Sequence, residues 1–207
     1  MGYVNFHDSM GPYPAGRELP RHDEILQRIL GVPVGHHYFI TYSDRKKVRR
    51  IYAEYIKKQI EEHPDSIVLV FPYYDNTNAV REELTSEGLN TVELEMSGAL
   101  VIVDITKIVK SQYFQVPEVE RLSEFIKQVE DKNKNKTVFV VADMSVFHHL
   151  KKSKELLEYE KKLHQDLAEP ENRKELCLYH VRDLKAMFSE TEAAELESYH
   201  EGKIIAI

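Results

Sequence analysis

At 207 residues the chain is long enough for one sizeable α/β domain, which buries roughly 70% of the surface its unfolded chain exposes. Charged residues make up 30% of it, and the formal net charge of −7 weighs against general attraction to nucleic acid or anionic lipid. A single cysteine, Cys177, excludes an internal disulfide, and no apolar run approaches the roughly 20 residues of a spanning helix, so a soluble cytoplasmic protein is expected.

In chain order, MGYVNFHDSMGPYPAGRELP (1–20) has no apolar leader core and carries Gly and Pro breakers, which predicts an extended or flexible arm before a single domain over 21–207. HDEILQRILG places Ile25, Leu26, Ile29 and Leu30 on one helical face and stops at Gly31. HYFITY (37–42) is aromatic and β-branched and predicts a strand. Arg45 to His63 keeps a 3.6-residue period through Val48, Ile51, Tyr52, Tyr55, Ile56 and Ile60 until Pro64 ends it. SIVLVF is apolar throughout, as strands covered on both faces are. Asn76 or Thr77 caps a helix through Val80 and Leu84 that Gly88 ends, TVELEM alternates like a short strand near an edge, and GALVIVDI reads as another buried strand.

After the QYFQVPE connection come a helix over 118–131, a polar DKNKNK turn and the strand TVFVVA. The long amphipathic helix LKKSKELLEYEKKLHQDL and the strand ELCLYH follow, then a helix opened by a Ser189/Glu192 capping box, and finally the strand KIIAI. Repeated strand-helix order predicts a three-layer α/β fold, a mostly parallel sheet with helices on both faces.

The turn after the first strand, TYSDRKK, contains no glycine, and neither GxxxxGK[ST] nor GxGxxG is present, which argues against conventional nucleotide hydrolysis. DRKKVRR puts Arg45, Lys46, Lys47, Arg49 and Arg50 on the first turns of a helix, either as a solvated face or as a meeting point for a phosphate-bearing ligand or acidic partner. LVIVDI ends in Asp104, which reads either as a magnesium-positioning carboxylate or as a cap. His36 and His37 point to opposite faces of a strand and cannot chelate one ion together, and His148 and His149 read as a surface turn. Neither HExxH, a cysteine and histidine set at zinc spacing, nor GxSxG occurs. Cys177 reads as a packed thiol. No catalytic residue, metal ligand or cofactor is therefore assigned. Glu160 lies beside the apolar face of Leu156, Leu157, Tyr159, Leu163 and Leu167, and either points to a pocket or pairs with Lys161, Lys162 or His164.

The order HYFITY, GALVIVD leading to QYF, VVADMS, EYEKKLH, ELCLYH and HEGKIIAI resembles the MEDS domain, the methanogen/methylotroph sensory domain named for the dichloromethane regulator DcmR, over roughly residues 30–207. The motifs that carry the resemblance are DMS at 143–145, the Tyr159-Glu160 pair, Leu176 to Tyr179, and His200 before the last strand. Asp143 stands where the family usually has Glu before Met-Ser, and Val146 and Phe147 follow Ser145 in place of the common tryptophan.

The resemblance implies a RecA/KaiC-like fold that has lost its ATPase loop, and a sensor of small molecules, hydrocarbon derivatives among them. It also implies output through histidine-kinase or DNA-binding modules. No helix-turn-helix or kinase segment is legible, so the signal is expected to pass to a separate partner, a histidine kinase or transcriptional regulator. Direct contact with nucleic acid or membrane is not expected, whereas a homo-oligomer is in keeping with RecA relatives. The ligand is expected at the carboxyl ends of the central strands, walled by Tyr42, Ser43, Tyr73, Tyr74, Asp104, Asp143, Ser145 and Glu160. The competing classes are a degenerate nucleotide- or metal-dependent hydrolase using Asp104, Asp143, Glu160 and nearby histidines, and a scaffold that assembles.

Overall fold

The computed structural model describes residues 21–113, 118, 120–166, 172–200 and 204–207. The arm expected over 1–20, Leu167 and most of the QYFQVPE connection lie outside the described residues. The chain runs α1 (His22–Leu30), β1 (His36–Tyr42), α2 (Arg45–Glu62), β2 (Ile67–Phe71), α3 (Thr77–Ser86) and α4 (Thr91–Ser97). It continues through β3 (Leu100–Ile102), α5 (Ile105–Val109), α6 (Glu120–Lys132), β4 (Val138–Asp143), α7 (Val146–His149) and α8 (Ser153–Asp166). Then come β5 (Arg173–His180), α9 (Val181–Met187), α10 (Glu190–Ser198) and β6 (Ile204–Ala206). All strand pairs are parallel, in the order β3-β2-β4-β5-β1-β6.

Strand alternation divides the core in two. Ile40, Val68, Val70, Val141, Leu176 and Leu178 face α1, α2 and α3 through Ile25, Ile29, Ile51, Ile56, Val80 and Leu84. Phe39, Leu69, Val140, Cys177 and Tyr179 face α5 to α10 through Ile105, Ile126, Phe147, Leu156, Leu184 and Leu196. Each large apolar side chain buried in either layer contributes about 1.5–3 kcal/mol. The three-layer arrangement is the one expected from the alternating elements.

Caps set the helix starts. Asp44 accepts from the backbone N–H groups of Lys46 at 2.8 Å and Lys47 at 3.2 Å, so its carboxylate holds amides of α2 that a phosphate cradle would present. Asn76 accepts from Ala79 N at 2.8 Å, and the Ser189/Glu192 capping box forms as expected.

TVELEM is a correction, because it folds as helix α4 where the alternation predicted a strand. Asn90 caps it by accepting from Glu93 N, and Gly98, at φ 75°, closes it in the left-handed region that favours glycine. Val92 is 66% exposed and Met96 84%, so the alternating apolar residues do not mark a buried face.

The connections after β1 and β2 cross the α2–α3 layer, whereas those after β3, β4 and β5 cross the opposite layer. The direction therefore switches between neighbours β3 and β2, between β2 and β4, and again between β5 and β1. Such switch points open a crevice beyond the carboxyl ends of the strands.

Candidate functional sites on the two faces of the sheet

The crevice gathers residues from three strand ends. Tyr42, the last residue of β1, is buried and donates from its hydroxyl to Asp143 Oδ2 at 2.9 Å. Asp143 ends β4, and its Oδ1 accepts from Ser145 N at 3.1 Å, a local turn that holds the carboxylate in place. Ser145 Oγ accepts from His180 N at 3.2 Å and ties the end of β4 to the end of β5.

Burial pushes the Asp143 carboxyl up to about 6, with hydrogen bonds from Ser145 and Tyr42 offsetting only part of the effect. Burial and the Asp143 charge also push the Tyr42 phenol well above its ordinary range. A cavity of about 20 Å³ lies here, lined by Tyr42, Arg45, Tyr52, Tyr74, Asp75 and Asp143 among others. The buried Tyr52 hydroxyl has no hydrogen-bond partner among the described residues. The space accommodates one or two waters, or a ligand of a few heavy atoms that displaces them.

The residues singled out in the sequence fall into three groups. Tyr42, Tyr74, Asp143 and Ser145 meet in the crevice, and Ser43 is exposed next to Tyr42. Tyr74 donates to Asp183 Oδ2 at 2.5 Å, while its ring packs edge-on against Tyr73 at 4.9 Å and carries the Arg45 guanidinium at 5.3 Å. Burial first, then Asp183, Asp143 and Asp104, raise the Tyr73 phenol, which puts Tyr73 at an acidic rim. Asp104 is engaged as a cap of α5, accepting from Thr106 N at 2.8 Å and from Thr106 Oγ1 at 2.6 Å. In the basic run, Arg49 is held by Asp75 at 2.8 Å and Glu83 at 3.0 Å, and Arg50 by Glu54 at 3.1 Å.

Glu160 belongs to neither the crevice nor its rim. With Leu156 four residues before and Leu163 three after, it sits within the buried face of α8, on the opposite side of the sheet from Tyr42 and Asp143. There it meets residues that the sequence kept apart. Alternation sends His37 and Phe39 of β1 to that side, together with Glu175, Cys177 and Tyr179 of β5, in the register His37↔Glu175 and Phe39↔Cys177. His200 enters from the segment after α10, held by its backbone N–H to Glu197 O at 2.9 Å.

Ligand atoms of His37, Glu160, Cys177 and His200 all lie within 4.8 Å of one another. His37 is 1% exposed and the other three 0%. Tyr179 donates from its hydroxyl to Glu160 Oε1. Glu160 Oε2 stands 3.3 Å from His200 Nε2 and 3.5 Å from His37 Nδ1, close contacts without hydrogen-bond alignment.

Burial pushes His37 down to about 4, with Glu160 offsetting only part of that. For Glu160, burial opposes ionisation, but the neighbouring His200 and His37 outweigh it and hold the carboxyl below its ordinary range. Burial, then the Glu160 and Glu175 charges, push the Cys177 thiol well above its ordinary range. Sequence spacing missed this group because its members come from β1, α8, β5 and the segment beyond α10. Its legible signals were a carboxylate between Leu156 and Leu163 on an apolar helix face, and the presence of Glu160, Cys177 and His200 in the motifs that carry the family resemblance.

The fold resembles that of a KaiC-like protein from the hyperthermophilic archaeon Pyrococcus horikoshii, with a TM-score of 0.55 and 21% sequence identity over 72% of this chain and 63% of that one. At that identity the likeness speaks for the fold alone, a RecA/KaiC-like α/β architecture, and this chain spans less than two thirds of that protein's length. No curated protein matches the sequence. No helix of the described residues is long and apolar enough to cross a membrane. The model of the MEDS family, the methanogen/methylotroph, DcmR sensory domain, matches residues 36–201, from the start of β1 to the residue after His200, and the chain belongs to that family.

Proposed function

We propose that this chain is a small-molecule sensory domain that binds its ligand in the crevice between Tyr42, Tyr52, Tyr74 and Asp143 and passes the bound state to a separate signalling partner. The observation that carries this reading is the Tyr42–Asp143 pair beside the unpartnered Tyr52 hydroxyl, at strand ends where the sheet changes direction. Membership of a sensory-domain family supports the same role. The small cavity favours a ligand of few heavy atoms, in keeping with a simple hydrocarbon derivative. Tyrosine rings supply its apolar walls, and the Asp143 carboxyl and the Tyr52 hydroxyl fix a polar end. Asp44, already seated on the first amides of α2, favours ligands other than phosphates.

Ligand entry changes the packing among Tyr42, Asp143 and Ser145, and Ser145 is bonded to the end of β5, where α9 begins. That contact gives bound ligand a route to the surface formed by α9 and its neighbours. A thermal-shift screen of halomethanes, short alcohols, amines and thiols, with nucleotides as a contrasting arm, tests the reading when followed by a turnover assay. Stabilisation by a small organic compound without product formation is the expected result. Product formation, or stabilisation by nucleotides alone, overturns it.

A further inference from the structure

We propose that His37, Glu160, Cys177 and His200 form a binding site for a borderline divalent metal ion of the zinc class, between β1, β5 and α8. The orientation of His200 carries the inference. Its Nδ1 lies 2.9 Å from Leu196 O, a carbonyl that can only accept, so Nδ1 bears a hydrogen and Nε2 is the ring atom turned toward Glu160. That Nε2 stands 3.3 Å from Glu160 Oε2 in a fully buried setting, and neither atom has an aligned hydrogen bond there, so an ion between them would engage both.

The rest of the donor set fits. The 3.3 Å and 3.5 Å contacts match the edges of a tetrahedral zinc site, about 3.3–3.6 Å for nitrogen, oxygen and sulfur ligands. No ligand-to-ligand separation exceeds 4.8 Å, so closure asks for movements of roughly 1 Å. The Cys177 thiolate and the Glu160 carboxylate together neutralise a doubly charged ion, and two neutral imidazoles complete the set without adding charge. Loading releases the Cys177 thiol proton to solvent. The outer partners are also in place, since Tyr179 holds Glu160 Oε1 and Leu196 O fixes the His200 tautomer. This site is independent of the crevice on the other face of the sheet.

Cobalt(II) is the probe, added to the full chain after chelator treatment, both to folded protein and during refolding, because the site is enclosed. Cys177 is the only cysteine, so a near-ultraviolet thiolate-to-cobalt charge-transfer band reports this site alone. The expected result is a band that saturates at an equimolar amount, is erased by zinc and is absent in Cys177→Ser. Tyr179→Phe, which frees the second oxygen of Glu160, is expected to weaken binding by about 10- to 100-fold. Absence of the band from both wild-type samples overturns the proposal, and so does undiminished affinity in Tyr179→Phe.

Discussion

His200 and Glu160 meet at 3.3 Å in a layer of the core where neither side chain is exposed, although one comes from beyond α10 and the other from the middle of α8. Glu160 is thereby an internal anchor for β1, β5 and the C-terminal segment, through His37, Tyr179 and His200.

Removing that anchor leaves polar groups buried without their counterpart. Glu160→Ala is expected to lower the unfolding free energy by about 3–5 kcal/mol, with Glu160→Gln recovering part of the loss through the Tyr179 hydroxyl. Denaturant unfolding checks this, and an alanine variant within about 1 kcal/mol of wild type would contradict it.

Asp143 gives the crevice a pH signature. Its folded carboxyl lies at about 6 against an ordinary 3.8, so the folded state binds the proton more tightly than the unfolded state does. The associated stability is full below about pH 4 and is lost as pH rises through 6, by about 3 kcal/mol at most. Asp143→Asn removes the titration, so the wild-type-minus-variant stability difference is expected to fall between pH 4 and 7. Parallel stability curves over that window would exclude a raised Asp143.

Without a bound metal, Cys177 is a buried thiol whose ionisation is opposed by burial and by Glu160 and Glu175. In chelator, a thiol reagent is expected to modify it only as fast as the protein opens, with full reaction in denaturant. Rapid modification under native conditions would place the thiol in an accessible setting, against its 0% exposure.

The α4 segment offers a check on the fold. Met96→Lys is expected to change stability by less than about 0.5 kcal/mol, because the side chain is 84% exposed on a helix. A loss above about 2 kcal/mol, measured by thermal or denaturant unfolding, would indicate the buried position of a strand.

Much of the architecture was legible because apolar runs such as IVLVF and VFVVA are what a parallel sheet covered on both sides demands, and caps such as Asn76 and Ser189 mark helix starts locally. TVELEM misled because Val92 and Met96 alternate without being buried, so the period carried no information about a face. Tyr42, Asp143 and Ser145 were legible as neighbours because strand ends of a parallel sheet converge at one edge. Glu160 was not separable from them, since the sequence shows that α8 has a buried side but not which face of the sheet it covers. His37, Cys177 and His200 were out of reach of any spacing rule, because their meeting depends on strand order and on the return of the chain after α10.

The sensory reading is tested most directly by NMR of the chain labelled on its tyrosine rings, titrated with a panel of halomethanes, short alcohols, amines and thiols. The expected result is saturable movement of the Tyr42, Tyr52 and Tyr74 ring signals with at least one compound, lost or weakened about tenfold in Asp143→Asn. If no compound moves those signals, or if the shifts map to rings outside the crevice, the ligand site is not where Tyr42 meets Asp143.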